Sequence, residues 1–280
     1  MDKKIRTYRF KPLPIEIEVK DLAFVREGSQ LLGRAHKAAF YQVVWLTRGT
    51  AEFRIDFREI ALKADDVLII SAGQVCQFDT VSDYSGKMIL FTDAFFTVTE
   101  LDSNFLYTAE VLNPENLNTT VPVCPQLMGN MTSLLEEELK GPVDNYQMGI
   151  AHSFLQVILF ETERKLSVSR PAVLNSLGRR FYHEVEEHFR ENRNAEFYVE
   201  RLGVNEKTLS REVKGLTGKT PKVYIDSRTI LEAKRLLAYS DLSAKEIGFN
   251  LGFDEPTNFA KYFRRAAGMT PGQFRDSLKK

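Results

Sequence analysis

The chain has 280 residues, enough for two domains of ordinary size, and its 43% hydrophobic and 27% charged content excludes a membrane-embedded or disordered composition. The formal charge is zero, from 38 Lys and Arg against 38 Asp and Glu, yet residues 201–280 hold sixteen basic and nine acidic residues, a net of +7, which leaves −7 on residues 1–200. A basic block beside an acidic one points the C-terminal part at a polyanion, although a solvated helical surface has the same signature on charge alone.

No apolar run exceeds four residues, Val67-Leu68-Ile69-Ile70 among them. A bilayer span needs about 20, so neither a transmembrane segment nor a membrane partner is expected. The opening Met1-Asp2-Lys3-Lys4-Ile5-Arg6 has charge without an apolar stretch behind it, so no secretory signal is expected. Cys76 and Cys124 make neither a disulfide framework nor a four-cysteine zinc site. Together these readings place the chain in a reducing, cytoplasmic setting.

In chain order, residues 15–92 read as short strands. Ala51–Phe57 alternates, with Phe53, Ile55 and Phe57 on one face and Glu52, Arg54 and Asp56 on the other. Tyr41–Thr47, Val67–Ser71, Val75–Phe78 and Met88–Thr92 are β-branched or aromatic runs. Arg48-Gly49-Thr50, Asp65-Asp66 and Ala72-Gly73-Gln74 read as turns between them. This spacing predicts a sandwich or small barrel. From about residue 126 the period becomes helical. Leu127, Met131, Leu134, Leu135 and Leu139 form one stripe that stops at Gly141-Pro142, and Asp144 caps a second helix bearing Ile150, Phe154, Ile158 and Phe160. These stripes serve either as core or as a dimer seam. The boundaries predicted are a strand-rich domain with helices at 1–165, a linker at 166–178 around Ser167-Val168-Ser169-Arg170-Pro171, and a second domain at 179–280.

The last 80 residues repeat at an offset of 50: Gly218-Lys219-Thr220-Pro221 recurs as Gly268-Met269-Thr270-Pro271, and Tyr224 corresponds to Phe274. Each unit reads as a short helix, a glycine turn and a longer helix. Phe197–Leu202 precedes the first turn, Asn205 caps the helix running to Thr217, and Gly218 is its left-handed stop. In the second unit Ser243 and Glu246 have capping-box spacing, and Asp254 or Glu255 caps a helix that takes Pro256 in its first turn. Such units lay their second helix into a DNA major groove. Leu209, Val213 and Leu216 form the apolar stripe of the first such helix, which turns Lys207, Ser210, Arg211 and Lys214 outward. In the second, Phe259 and Phe263 are buried, and Thr257, Asn258, Lys261 and Arg265 lie away from them. Arg and Lys suit guanine, Asn suits adenine, and Thr a methyl group or phosphate. A plain helical bundle tolerates the same residues. The connector Lys222–Ala238 reads as one helix of about 25 Å, a length that can set two recognition helices about 34 Å apart, one turn of DNA.

Residues 196–278 resemble the C-terminal DNA-binding domain of the AraC/XylS family of bacterial transcription regulators. The matching stretches are Thr208-Leu209-Ser210-Arg211, Gly218-Lys219-Thr220-Pro221, Ala233-Lys234-Arg235-Leu236-Leu237 and Glu246-Ile247-Gly248-Phe249-Asn250-Leu251-Gly252-Phe253, followed by Asn258 through Arg265 and Gly268-Met269-Thr270-Pro271. Gly248, Val213 and Ala267 depart from the family's usual residues. The resemblance implies base contacts at Lys207, Ser210, Arg211, Thr257, Asn258 and Lys261, the positions that spacing also turns outward; the double-stranded DNA site expected adds Asn205, Thr208, Lys214 and Arg265. More weakly, the N-terminal strands are similar to the family's cupin-like sensor barrel. Its usual Pro-Gly-x-x-His turn is here Ala72-Gly73-Gln74-Val75-Cys76, without the proline and the histidine.

The fold class expected is therefore α+β: a cupin-like β-barrel sensor with a helical dimerisation segment, then an all-α domain of two helix-turn-helix units joined by a long helix. The function implied is a homodimeric transcription activator that meets RNA polymerase and answers to an unknown small-molecule effector. His36, Tyr41, Trp45, Phe53 and Phe78 are the candidate effector contacts, with simple strand core as the competing role for the aromatics. A metal-dependent cupin enzyme is the first rival, but residues 15–92 contain only His36 and show no nucleophile elbow, P-loop or dinucleotide fingerprint, so no catalysis, cofactor or metal is expected. A regulator without an effector, an RNA-binding protein and an architectural DNA protein are the others.

Overall fold

The computed structural model describes residues 6–11, 15–27, 32–113, 120–167 and 177–278. Two compact units divide the chain near residue 172.

In the first unit the described strands are β1 (Arg6–Tyr8), β2 (Ile17–Asp21), β3 (His36–Ala38), β4 (Tyr41–Ile55), β5 (Arg58–Lys63), β6 (Asp66–Ile70), β7 (Val75–Gln77), β8 (Tyr84–Phe91) and β9 (Val121–Pro122). The 15-residue β4 is the spine. Its first part pairs antiparallel with β6 and β8, and its last part pairs with β5 and β7. The register slips between Leu46 and Arg48, and Gly49 sits at φ +81°. A Cβ on Gly49 would lie 2.2 Å from the Asp83 carbonyl oxygen. Arg48-Gly49-Thr50 is thus a bulge inside one continuous strand, not the turn its composition suggested. A bulge adds local twist, which lets β4 pass from one sheet to the other. Among the described residues no pairing closes the sheet on itself, so the expected barrel is a half-barrel. Asp65 (φ +69°) and Gly73 (φ +80°) do make turns, whereas Asp66 opens β6. Asp56 (φ +53°) turns β4 into β5, so Phe57 is half-buried in that turn instead of extending the face of Phe53 and Ile55.

Strand alternation gives β4 two faces. Val44, Leu46, Phe53 and Ile55 join Leu68, Ile70, Met88 and Leu90 inside the half-barrel. Val43 and Trp45 face a second core with Ile69, Ile89 and Phe91. Helices complete that second core. Short α2 (Asp93–Phe96) and α3 (Glu100–Thr108) precede the long pair α4 (Pro125–Lys140) and α5 (Gln147–Ser167), whereas α1 (Ala23–Glu27) packs on the half-barrel core through Val25. The buried stripe of α4 is Met128, Thr132 and Leu135, and that of α5 is Ala151, Leu155, Ile158 and Leu159. The leucine-led reading is off by part of a turn: Leu134 is 42% exposed, Ile150 39% and Phe160 36%. Gly129 also faces the sheet, where an added Cβ would lie 3.6 Å from the Trp45 ring. Asp144 caps α5 as expected, its Oδ1 accepting from the N–H groups of Tyr146 at 2.8 Å and Gln147 at 2.9 Å.

The described part of the second unit is all helix: α6 (Leu177–His188), α7 (Ala195–Leu202), α8 (Glu206–Thr217), α9 (Pro221–Tyr239), α10 (Ala244–Asn250), α11 (Pro256–Ala267) and α12 (Pro271–Ser277). One core of Phe181, Val185, Tyr198, Leu202, Leu209, Val213, Ile225, Leu237, Ile247, Phe259 and Phe263 joins them. Most of the sequence-read linker, residues 168–176, lies outside the described residues, as does the Leu216 side chain.

Candidate nucleic-acid interface and ligand cavity

Each of the paired helical units is built from local signals. Asn194 caps α7, and Gly203 ends it in the left-handed conformation at φ +64°. Asn205 Oδ1 accepts the Thr208 N–H at 2.8 Å and starts α8, which Gly218 stops at φ +70°. In the second unit Ser243 and Glu246 form the predicted reciprocal capping box on α10. Glu255 occupies the cap of α11 without a side-chain bond to the helix, and its carboxylate instead accepts from Thr257 Oγ1 at 3.2 Å. Gly268 closes α11 at φ +75°.

Leu209 and Val213 on α8 and Phe259 and Phe263 on α11 are each 0% exposed. Lys207, Arg211 and Lys214 on α8, and Thr257, Asn258, Lys261 and Arg265 on α11, are exposed; Thr208 and Ser210 are half-buried. The Asn205 carbonyl oxygen is committed to its cap, so that side chain starts the helix before it can do anything else. Arg211 folds back on Glu212, donating from Nε at 3.1 Å and Nη2 at 3.0 Å to the same oxygen. That exposed pair is weak and is exchanged easily for a phosphate or a base edge. Arg264, also exposed beside Arg265, was not singled out by spacing although the run Arg264-Arg265 is visible in the sequence.

Polar contacts under α11 fix it to α9. Asp226 accepts from Tyr262 Oη at 2.7 Å and Lys222 Nζ at 2.5 Å, with Arg265 Nη2 at 4.0 Å. Burial, followed by the Asp226 hydrogen bond, pushes the Tyr262 hydroxyl well above its ordinary range, so it is a donor at every working pH. Farther along α9, Arg228 is buried against Glu186 at 2.7 Å and Glu232 at 3.5 Å, and Glu232 also holds Arg190 at 3.1 Å and Arg235 at 3.4 Å. Burial alone would lower the Arg228 guanidinium; the Glu186 and Glu232 carboxylates together outweigh it and hold the group above its usual value.

The first unit carries a cavity of about 280 Å³ inside the half-barrel, lined by Tyr8, Arg9, Phe10, Lys11, Glu18, Lys20, Phe24, Leu32, His36, Ala38, Phe40, Gln42, Phe78, Met88 and Leu90. His36 and Phe78, of the five expected contacts, are in its wall. Tyr41 and Trp45 are not: the same alternation that turns Gln42 inward sends them to the helix side, where Tyr41 stacks on Phe91 with ring centroids 5.2 Å apart. Phe53 lies behind the wall as core, edge-on to Phe78 at 5.0 Å. Gln42, the polar residue in an otherwise apolar strand start, was the missed signal.

At the cavity floor His36 Nδ1 donates to the Arg34 carbonyl oxygen at 2.9 Å, which leaves Nε2 to accept from the Cys76 thiol at 3.2 Å. Burial lowers the imidazole's pKa and pushes the Cys76 thiol up to about 12, so the floor is uncharged. Both ring nitrogens are therefore occupied, and among the described residues no group of three or more His, Cys, Asp or Glu converges to hold a metal. No described helix is long and apolar enough to cross a membrane.

Two family models match: an AraC-like ligand binding domain over residues 25–142 and a helix-turn-helix domain over residues 198–277. The chain is similar to the HTH-type transcriptional activator RhaS of Escherichia fergusonii, 35% identical over 91 residues, which is 32% of this chain. The aligned stretch spans only 33% of that relative's length. Among solved structures, the DNA-binding domain of AdpA in complex with a target DNA is 28% identical over 38% of this chain and 95% of its own, with a TM-score of 0.35. ToxT from Vibrio cholerae is 13% identical, with 95% of this chain and 100% of its own covered and a TM-score of 0.45.

Proposed function

The chain belongs to the AraC family, and from that premise we propose that it is a sequence-specific DNA-binding transcription activator controlled by a small molecule bound in its half-barrel. One observation carries the DNA reading. Two repeated units bury Leu209 and Val213, or Phe259 and Phe263, on one side of their second helix and leave a face of Lys, Arg, Asn and Thr outside. That chemistry matches base edges and phosphates. The net +7 of residues 201–280 supplies the attraction to the duplex.

Effector binding acts by shifting an equilibrium between DNA-competent and DNA-incompetent states, which requires different affinities for the two. The exposed Leu134, Ile150, Val157 and Phe160 of α4 and α5 support a homodimer formed through these helices. RNA polymerase is the partner an activator requires. The test compares wild type and Arg211→Ala on a selected duplex and on random duplex. Loss of about 1–3 kcal/mol on the selected duplex alone supports base reading by Arg211. Equal loss on both duplexes assigns Arg211 to the phosphates and contradicts it.

A further inference from the structure

We propose that the half-barrel cavity is selective for a small monocarboxylic acid with an aromatic or branched apolar body. This rests on the reading of the half-barrel as an effector site and specifies what that site takes. Size comes first. A protein cavity of roughly 150 Å³ accommodates one benzene ring, so about 280 Å³ suits a ring with a short acid-bearing chain better than an oligosaccharide or a nucleotide.

The wall chemistry then selects the class. Phe24, Phe40, Phe78, Met88 and Leu90 give the body of the cavity carbon surface, which disfavours a molecule that needs a hydroxyl partner at every position. The charged groups in the wall are three cations and one carboxylate: Arg9, Lys11 and Lys20 against Glu18. Lys20 already holds Glu18 at 2.7 Å. Arg9 and Lys11 have no ion-pair partner among the described residues, and both are exposed, as expected at a mouth and not at a floor. A cationic ligand finds no free carboxylate here, and the His36–Cys76 floor is neutral and mutually hydrogen-bonded.

The Tyr8 hydroxyl adds an independent sign. It belongs to the cavity wall and is buried with no hydrogen-bond partner among the described residues. A buried, unsatisfied donor costs free energy unless something completes it. A carboxylate oxygen completes it and is itself drawn to Arg9 and Lys11, the cations on the same short N-terminal segment.

The experiment is isothermal titration of the full-length chain with three isosteres: 3-phenylpropanoate, 3-phenylpropanol and 3-phenylpropylammonium. DNA binding is followed on the same preparations by fluorescence anisotropy. The carboxylate is expected to bind at least about tenfold more tightly than the alcohol, and the ammonium more weakly still. The double variant Arg9→Ala/Lys11→Ala changes only exposed side chains; it should keep alcohol binding and lose the preference for the acid, and Tyr8→Phe should narrow that preference in the same direction. Equal or tighter binding of the alcohol or ammonium, an acid preference unchanged in the double variant, or binding of none of the three overturns the proposal. Each of these results leaves the DNA reading standing if the anisotropy titration still shows specific binding, and loss of DNA binding alone removes that reading without touching the ligand class.

Discussion

Arg193 Nη2 donates to the Gly252 carbonyl oxygen at 2.7 Å, while Nη1 donates to the neighbouring Leu251 carbonyl oxygen. The same guanidinium lies over the Phe253 ring, 3.8 Å from its centroid. Arg193 sits just before α7, in the first helix-turn-helix unit, and Gly252 is the turn of the second. One side chain thus joins the two units through the backbone of the turn that aims α11. Arg193→Ala should leave each unit helical but lower stability by roughly 1–3 kcal/mol. It should also weaken binding to a two-site duplex more than to either half-site. Thermal unfolding and anisotropy on both duplexes check this.

Gly252 should be the least replaceable of the turn glycines. At φ +70° it already disfavours a side chain, and a Cβ there would lie 2.2 Å from the Arg190 carbonyl oxygen. Gly268, at φ +75°, has nothing within 4 Å of an added Cβ. Gly268→Ala should cost only the conformational term of about 1 kcal/mol, and Gly252→Ala clearly more. Chemical denaturation of the two variants decides it.

Replacing Glu232 by Gln removes the shared partner of Arg190, Arg228 and Arg235, of which the last two are buried. Uncompensated buried charge is expensive, so a loss of roughly 3–5 kcal/mol is expected. A double variant replacing Glu232 and Arg235 with Met and Leu should recover part of it, as measured by urea unfolding. A ΔΔG near zero for the single variant would show that Glu186 alone satisfies Arg228.

Acid sensitivity of the first unit should trace in part to Asp102. Its buried carboxylate accepts from the Thr99 N–H at 2.8 Å, Thr99 Oγ1 at 2.8 Å and Gln156 Nε2 at 2.5 Å, with His152 Nε2 at 3.3 Å. Burial pulls its pKa up, the Thr99 and Gln156 hydrogen bonds with the neighbouring His152 together outweigh that, and the net shift is downward. A depressed carboxylate contributes stability above its unfolded value, about 3.9, and loses it as pH falls through the lower folded value. Asp102→Asn should be less stable than wild type at neutral pH, and the gap should narrow as pH falls below about 4.

Where the signal is local, the amino-acid sequence already specifies the structure. Asn205, Gly218, Ser243 with Glu246, and Asp144 act at the positions their types and spacings indicate, because capping needs only residues within one turn. Gly49 was misread because its role depends on Asp83, far along the chain, whose carbonyl leaves room for nothing larger. Tyr41 and Trp45 were misplaced for a related reason. Alternation shows that they share a face with Val43 but not whether that face meets the cavity or the helices, and both faces of β4 are apolar. The Arg228–Glu232–Arg235 cluster reads as ordinary helix surface until α6 and its Glu186 are packed onto it.

Helices α8 and α11 are expected to read one duplex together. Hydroxyl-radical footprinting on a duplex enriched from a random library tests this most directly. Two protected patches on one face, about one helical turn apart, are predicted, with Arg211→Ala erasing one and Lys261→Ala weakening the other. A single patch, or protection that follows the protein onto any sequence, contradicts it.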